Sequence, residues 1–351
     1  HSKNHYNLSS KQFEKLKTLY TKNEALQTPE MTKLVAKLSV AKFPSKVVDD
    51  RDSKAFFRSQ NIDLRRNISE DQKQFIWDVL QQPNVLKRFL QKDGVKKVKV
   101  NIHASKHEFV ARSLREFLTQ VKGDEIVFVT AANSDAFEDV HLLKQVFDQL
   151  DVDATWLPMD TALANLWRNT NIRNSETLES ACTGLEQQRR ETVGRYNRGK
   201  IYPELNEQLI KVCQEPKSLI ELIDDADGVY FHDGSPDVLI ASMMNDAKTP
   251  MPFFKRIIDR HNEGKLVLGF NGASINALSG TGRSNGVIVD GSSHDSLQSG
   301  FEVSTLTKNA RLISNVQQNQ MMTSGLGLFE NIVFDHQVSS ESKQIRLMMG
   351  L

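Results

Sequence analysis

A chain of 351 residues is long enough to bury a sizeable core, and at the usual size of domains it reads as one large domain with a substantial extension. Its 45 basic and 44 acidic side chains nearly cancel, so no net field draws it to nucleic acid or to an anionic membrane. No stretch approaches the roughly 18 apolar residues needed to span a bilayer.

Residues 1–92 read as a helical extension without strand-like alternation. Phe13, Leu16 and Tyr20 recur at helical spacing after Ser9 and Ser10, and Ser69-Glu70-Asp71-Gln72 has the form of a capping box ahead of Phe75, Ile76, Val79 and Leu80. Pro83 ends or kinks that helix, Val85 to Leu90 carries a short helical piece, and Gly94 is a stop. Such an extension suits packing against the main domain or against a second copy in a homo-oligomer. The chain opens on His1 rather than Met, as in a processed form or one whose tag or signal has gone. Cys182 and Cys213 fall in one segment and permit a single disulfide, with two unpaired thiols as the other reading. The start and the cysteine pair together lean toward an exported, periplasmic or secreted, protein.

From residue 93 to 351 the pattern becomes strand, turn, helix, repeated. Val95 to Ile102 alternates and is followed by an amphipathic stretch from Glu108 to Val121. Glu125 to Thr130 is an almost continuous apolar run, as in a strand covered on both faces, and Val140 to Leu150 supplies a crossover helix. Ala154 to Pro158, Asp227 to Phe231 and Lys265 to Gly269 continue the series, with Pro252 to Asn262 as a further helix. The fold class is α/β, a parallel sheet with helices on both faces. A helical insertion occupies about 160–222, where Gln187 to Arg190 with Arg195 and Arg198 reads as a solvated basic face, with a binding surface for an acidic partner as the other reading.

Ligands of open parallel sheets bind beyond the carboxyl ends of the strands, so the turns after each strand carry the functional signal. Gly269-Phe270-Asn271-Gly272-Ala273-Ser274 follows one strand and has the small residues of a sharp strand-to-helix elbow, with Asn271 where a hydrolase of this architecture places its nucleophile. Ser274 is the alternative nucleophile, and Ser235 after Gly234 has a similar small-residue setting. His103, His232, His294 and His336 are the histidines available to a rearranged triad. His103 and His107 stand at i, i+4, but no third ligand completes a metal motif, and no Walker loop or dinucleotide glycine motif occurs. Neither a metal nor another cofactor is expected.

The elbow, with Ala226 to Phe231, Ser324-Gly325-Leu326-Gly327-Leu328, Ile332 to Val338 and Arg346-Leu347, resembles the cyanophycinase-like branch of the serine peptidases related to dipeptidase E, over roughly residues 95–351. That resemblance implies a flavodoxin-like or class I glutamine amidotransferase-like fold, cleavage of peptide or isopeptide bonds, and a peptide or polypeptide ligand. It also implies a serine activated by a histidine that an acid orients. The positions depart from this pattern one by one. Asn271 stands at the serine, Gln337 at the histidine with His336 one place earlier, and Pro236 at the glutamine of the loop after Phe231. Asn101-Ile102-His103-Ala104 replaces the glycines after the first strand, and the orienting acid falls beyond Leu351. The expectation is a family scaffold without standard serine–histidine catalysis, retaining Asn271, Gly272, Ser274, His232 and Ser235 as ligand-binding positions. An active hydrolase with Ser274 as a relocated nucleophile is the alternative.

Overall fold

A computed structural model describes residues 5–62, 64, 68–82, 108–170, 175–245, 249–278, 287–288, 301–303, 320–323 and 325–329. The chain divides into two units: His1–Val95 with Gly194–Asn206, and Lys96–Val193 with Glu207–Leu351.

The first unit begins with β1 (His5–Leu8), which pairs antiparallel with β2 (Lys46–Asp49). This corrects the expectation of an extension without strands. Each strand has four residues, too short for alternation to stand out from the helical periodicity around it. Helices α1 (Ser10–Thr21), α2 (Pro29–Ser39), α3 (Asp50–Ser59) and α4 (Glu70–Leu80) start where short polar side chains can accept from free N–H groups. Ser9, Thr28 and Asp49 cap the first three, and Ser69 with Gln72 closes a capping box on the fourth. The apolar stripes of these helices meet in a core containing Phe13, Leu16, Phe57, Phe75 and Ile76.

Tyr196 from the distant segment Gly194–Asn206 completes that core, its ring edge-on to Phe75 at 4.9 Å. Asp78 on α4 secures the same segment. Its carboxylate accepts from the Tyr196 N–H at 2.8 Å and from Arg198 Nη2 at 2.8 Å, with Arg195 Nη1 at 3.6 Å. Arg198 is 0% exposed and Asp78 1%. The solvated basic face expected of this stretch is therefore overturned for Arg195 and Arg198. Buried cations need buried partners, and the partner here lies more than 100 residues away in sequence.

In the second unit α5 (Glu108–Gln120) precedes β3 (Glu125–Val129), α6 (Val140–Asp148) and β4 (Asp153–Trp156). There follow α7 (Thr161–Asn169), α8 (Ser175–Thr183), α9 (Leu185–Val193), α10 (Arg198–Ile201, which belongs to the first unit), α11 (Pro203–Gln214) and α12 (Lys217–Asp225). Then come β5 (Gly228–Phe231), α13 (Pro236–Met243), α14 (Pro252–Asn262) and β6 (Val267–Phe270). The single helix read from Glu176 to Tyr196 is two, broken at Gly184. Cys182 and Cys213 form a disulfide that joins α8 to α11 across 31 residues of chain. A small sheet of β7 (Val287–Ile288), β8 (Phe301–Val303) and β9 (Gln320–Thr323) lies later in the chain. The strand read at 95–102 lies outside the described residues, as do the helix at 85–90, His103, His107, His294, His336, Gln337, Ser324 and Arg346-Leu347.

The main described sheet is parallel, in the order β4-β3-β5-β6. Phe128 and Tyr230 are register partners and point to the face covered by α5 and α6, where Phe117 and Phe147 each lie 5.6 Å from the Tyr230 ring. Burying a ring such as Phe128 contributes about 1.5–3 kcal/mol. α5 sits close because the sheet offers it glycines: a Cβ on Gly228 would come within 2.7 Å of Val121 Cγ2, and one on Gly269 within 2.7 Å of Phe117 Cδ2. Gly269, read as an elbow residue, thus makes room for a helix. The step from β3 to β4 runs to one side and the step from β5 to β6 to the other. Right-handed crossovers then carry α6 and the pair α13 and α14 to opposite faces, and the carboxyl ends of β3 and β5 are the switch point, where folds of this kind place a crevice.

Candidate functional site

Four turns meet the carboxyl edge of the sheet. After β3, buried Thr130 holds the loop in shape by donating to the Ala136 carbonyl at 2.6 Å and accepting from Trp156 Nε1 at 2.9 Å. After β5, the His232 N–H continues the ladder onto the Val129 carbonyl at 2.8 Å, and the Ser235 N–H reaches the Ala132 carbonyl at 2.8 Å. Gly234 lies so close to Ala132 that any Cβ there would overlap its backbone. The two loops that border the crevice are thereby laced together.

Between them lies a histidine–carboxylate pair. His232 Nε2 is 3.3 Å from Asp139 Oδ2, and Asn133 Nδ2 donates to the same oxygen at 3.0 Å. Asp139 stands at the N-cap of α6, yet its side chain makes no capping bond. A cap is worth about 1 kcal/mol. The carboxylate lies instead against His232 and accepts from Asn133. In the neutral tautomer that carries its proton on Nε2, Nδ1 is an acceptor, and Nδ1 is buried with no hydrogen-bond partner. Ser235, at the N-cap of α13, also makes no capping bond, and its hydroxyl is bonded to Asp237 instead.

The turn after β6 is where the sequence places Asn271, Gly272 and Ser274. The Asn271 N–H donates to the Phe231 carbonyl at 3.0 Å, extending the β5–β6 pairing by one residue. Its φ is not positive; the left-handed residue of the turn is Gly272, at φ +59°. A nucleophile elbow puts the nucleophile itself in the strained conformation. Here that conformation falls on a residue without a side chain, and any Cβ on Gly272 would overlap the Asp233 carboxylate. Ser274 is 0% exposed and donates its hydroxyl to the Asn271 carbonyl at 2.6 Å, within its own turn. Behind the turn stands a seven-residue 3-10 helix, Gly272–Leu278, in place of the expected α-helix. Burial, with a smaller push from Asp233, raises the phenol of Tyr230 to about 12.

After β4, Asp160 caps α7 by accepting from the Leu163 N–H at 2.8 Å, and its other oxygen pairs with Arg189 Nε at 2.9 Å. Arg189 is 2% exposed, so its expected place on a solvated face is overturned as well. Its Nη1 meets Glu186 at 2.9 Å and its guanidinium carbon lies 4.9 Å from the centre of the Phe137 ring, in the loop after β3. Its Nη2 is buried without a partner. Sequence reading did not single out Asp139 or Asn133, and it placed Arg189 on a solvated face. The available signals were an Asp at the start of a helix just beyond a strand, and an arginine within an otherwise amphipathic helix.

Among the described residues no group of three His, Cys, Asp or Glu side chains could hold a metal ion, and no helix is long and apolar enough to cross a membrane. No protein-family model matches the chain, and a search of curated proteins finds no match.

Proposed function

We propose that this chain is a cyanophycinase-like protein of flavodoxin-like or class I amidotransferase-like architecture that has lost serine–histidine hydrolysis and uses the carboxyl edge of its parallel sheet to bind a peptide or polypeptide ligand. The observation that carries this reading is the turn after β6. Asn271 has no ionisable group to attack a carbonyl, the left-handed position is Gly272, and the nearest hydroxyl, on Ser274, is buried and spent on a backbone carbonyl. A carbonyl under attack develops negative charge that must be met by donors. At Gly272 it would meet the Asp233 carboxylate. What remains is a crevice with an oriented histidine and laced loops, suited to holding a ligand.

Incubation of the full chain with an aspartyl-arginine polymer and with short acidic, basic and neutral peptides tests this reading. No turnover is expected. Turnover abolished by Ser274→Ala would overturn it in favour of a relocated nucleophile.

A further inference from the structure

Two buried atoms at the carboxyl edge lack partners, and their chemical senses are opposite. In the tautomer protonated at Nε2, His232 Nδ1 is an acceptor without a donor, and Arg189 Nη2 is a donor without an acceptor. Each side chain is otherwise fixed. His232 is held by Asp139, while Arg189 is held by Asp160, Glu186 and the Phe137 ring. Phe137 and Asp139 are two residues apart, so the two side chains grip one short stretch of the loop after β3 from its β4 and β5 flanks. Buried polar groups in folded proteins nearly always find partners, and when two fail beside a switch-point crevice a ligand is the natural supplier.

We infer that Arg189 and His232 form a two-point reader for an uncharged stretch of extended main chain, whose carbonyl accepts from Arg189 Nη2 and whose N–H donates to His232 Nδ1. This rests on the binding role proposed above and names the chemistry it recognises. Charge selects the neutral ligand. Asp160 and Glu186 already offset the Arg189 cation twice over, so an anionic group at Nη2 would meet net repulsion. Both atoms are closed to solvent, so the loop at 133–139 opens as the ligand enters.

The test is titration of the isotopically labelled full chain with N-acetyl-triglycine N-methylamide, read by nuclear magnetic resonance at the Arg189 guanidinium and the His232 ring. The signals are assigned by their loss in Arg189→Lys and His232→Gln. Both signals shift together if the inference holds. Analogues with one amide N–H at a time replaced by ester oxygen include one that loses the His232 shift and binds about tenfold more weakly. Acetate leaves the Arg189 signal in place. The inference is overturned if neither signal moves, if only one moves, or if acetate moves Arg189 as strongly as the peptide does. Should the peptide bind at both atoms and be hydrolysed, the two-point reader stands and the loss of hydrolysis proposed above fails.

Discussion

In the first unit, Ser9, Thr28, Asp49 and Ser69 stand at helix starts and each accepts the backbone N–H that its position presents. Along the carboxyl edge of the parallel sheet Asp160 does the same for α7, whereas Asp139 and Ser235 stand at equivalent positions and do not. Their side chains turn to His232 and Asp237. Asp78 is met by two arginines and a backbone N–H that tie a remote segment into a core, and Arg189 is met by Asp160 and Glu186. Asp139 and Ser235, which depart from the capping rule, lie beside the proposed ligand-binding edge.

The largest effect that tests this contrast is at Asp78. Asp78→Ala leaves two buried cations without their carboxylate and is expected to cost about 3–5 kcal/mol, read as a lower midpoint in urea unfolding. A loss under 1 kcal/mol would remove Asp78 as the anchor of the 194–206 segment. Replacing Cys182 and Cys213 together by alanine is expected to cost about 2–4 kcal/mol, from the 31-residue separation that the disulfide closes. The phenol of Tyr230 comes next. Its folded pKa of about 12 lies above the ordinary value of 10, so the folded state holds this proton more tightly than the unfolded one. Stability from this group is complete below pH 10 and falls by about 2–3 kcal/mol as pH rises toward 12. Comparing alkaline unfolding of the parent protein with Tyr230→Phe should isolate that slope, which the variant lacks. The smallest effect is the most direct comparison of the two regions. Ser69→Ala should lose about 1 kcal/mol for its cap. Asp139→Ala removes no capping bond but takes the acceptor from Asn133 and the carboxylate from beside His232, so its loss, also about 1 kcal/mol, should come with a shift of the His232 ring signals in nuclear magnetic resonance. A loss at Asp139 with the His232 signals unmoved would dissolve the distinction.

The sequence makes visible what depends on neighbours along the chain. The cap at Ser69, the stripe of Phe13, Leu16 and Tyr20, and the apolar run through Val127 and Val129 all announce their elements, because helix and strand periods are local. His232 is legible as a histidine just after a strand. Asp139 is not legible as its partner, since that pairing follows from the adjacency of β3 and β5. The same reason hides the burial of Arg189 and Arg198, whose carboxylates sit 29 and more than 100 residues away. The elbow divides these two kinds of information within six residues. Its small residues are plain in sequence, but that Gly269 serves the Phe117 ring and that Gly272 carries the left-handed bend are facts of packing.

The central claim, a sheet edge built for a ligand and without a serine nucleophile, is tested most directly by exposing the native full chain to a fluorophosphonate probe and mapping adducts by mass spectrometry. No labelled serine is the predicted result. Stoichiometric labelling of Ser274, lost on denaturation and in Ser274→Ala, would contradict it.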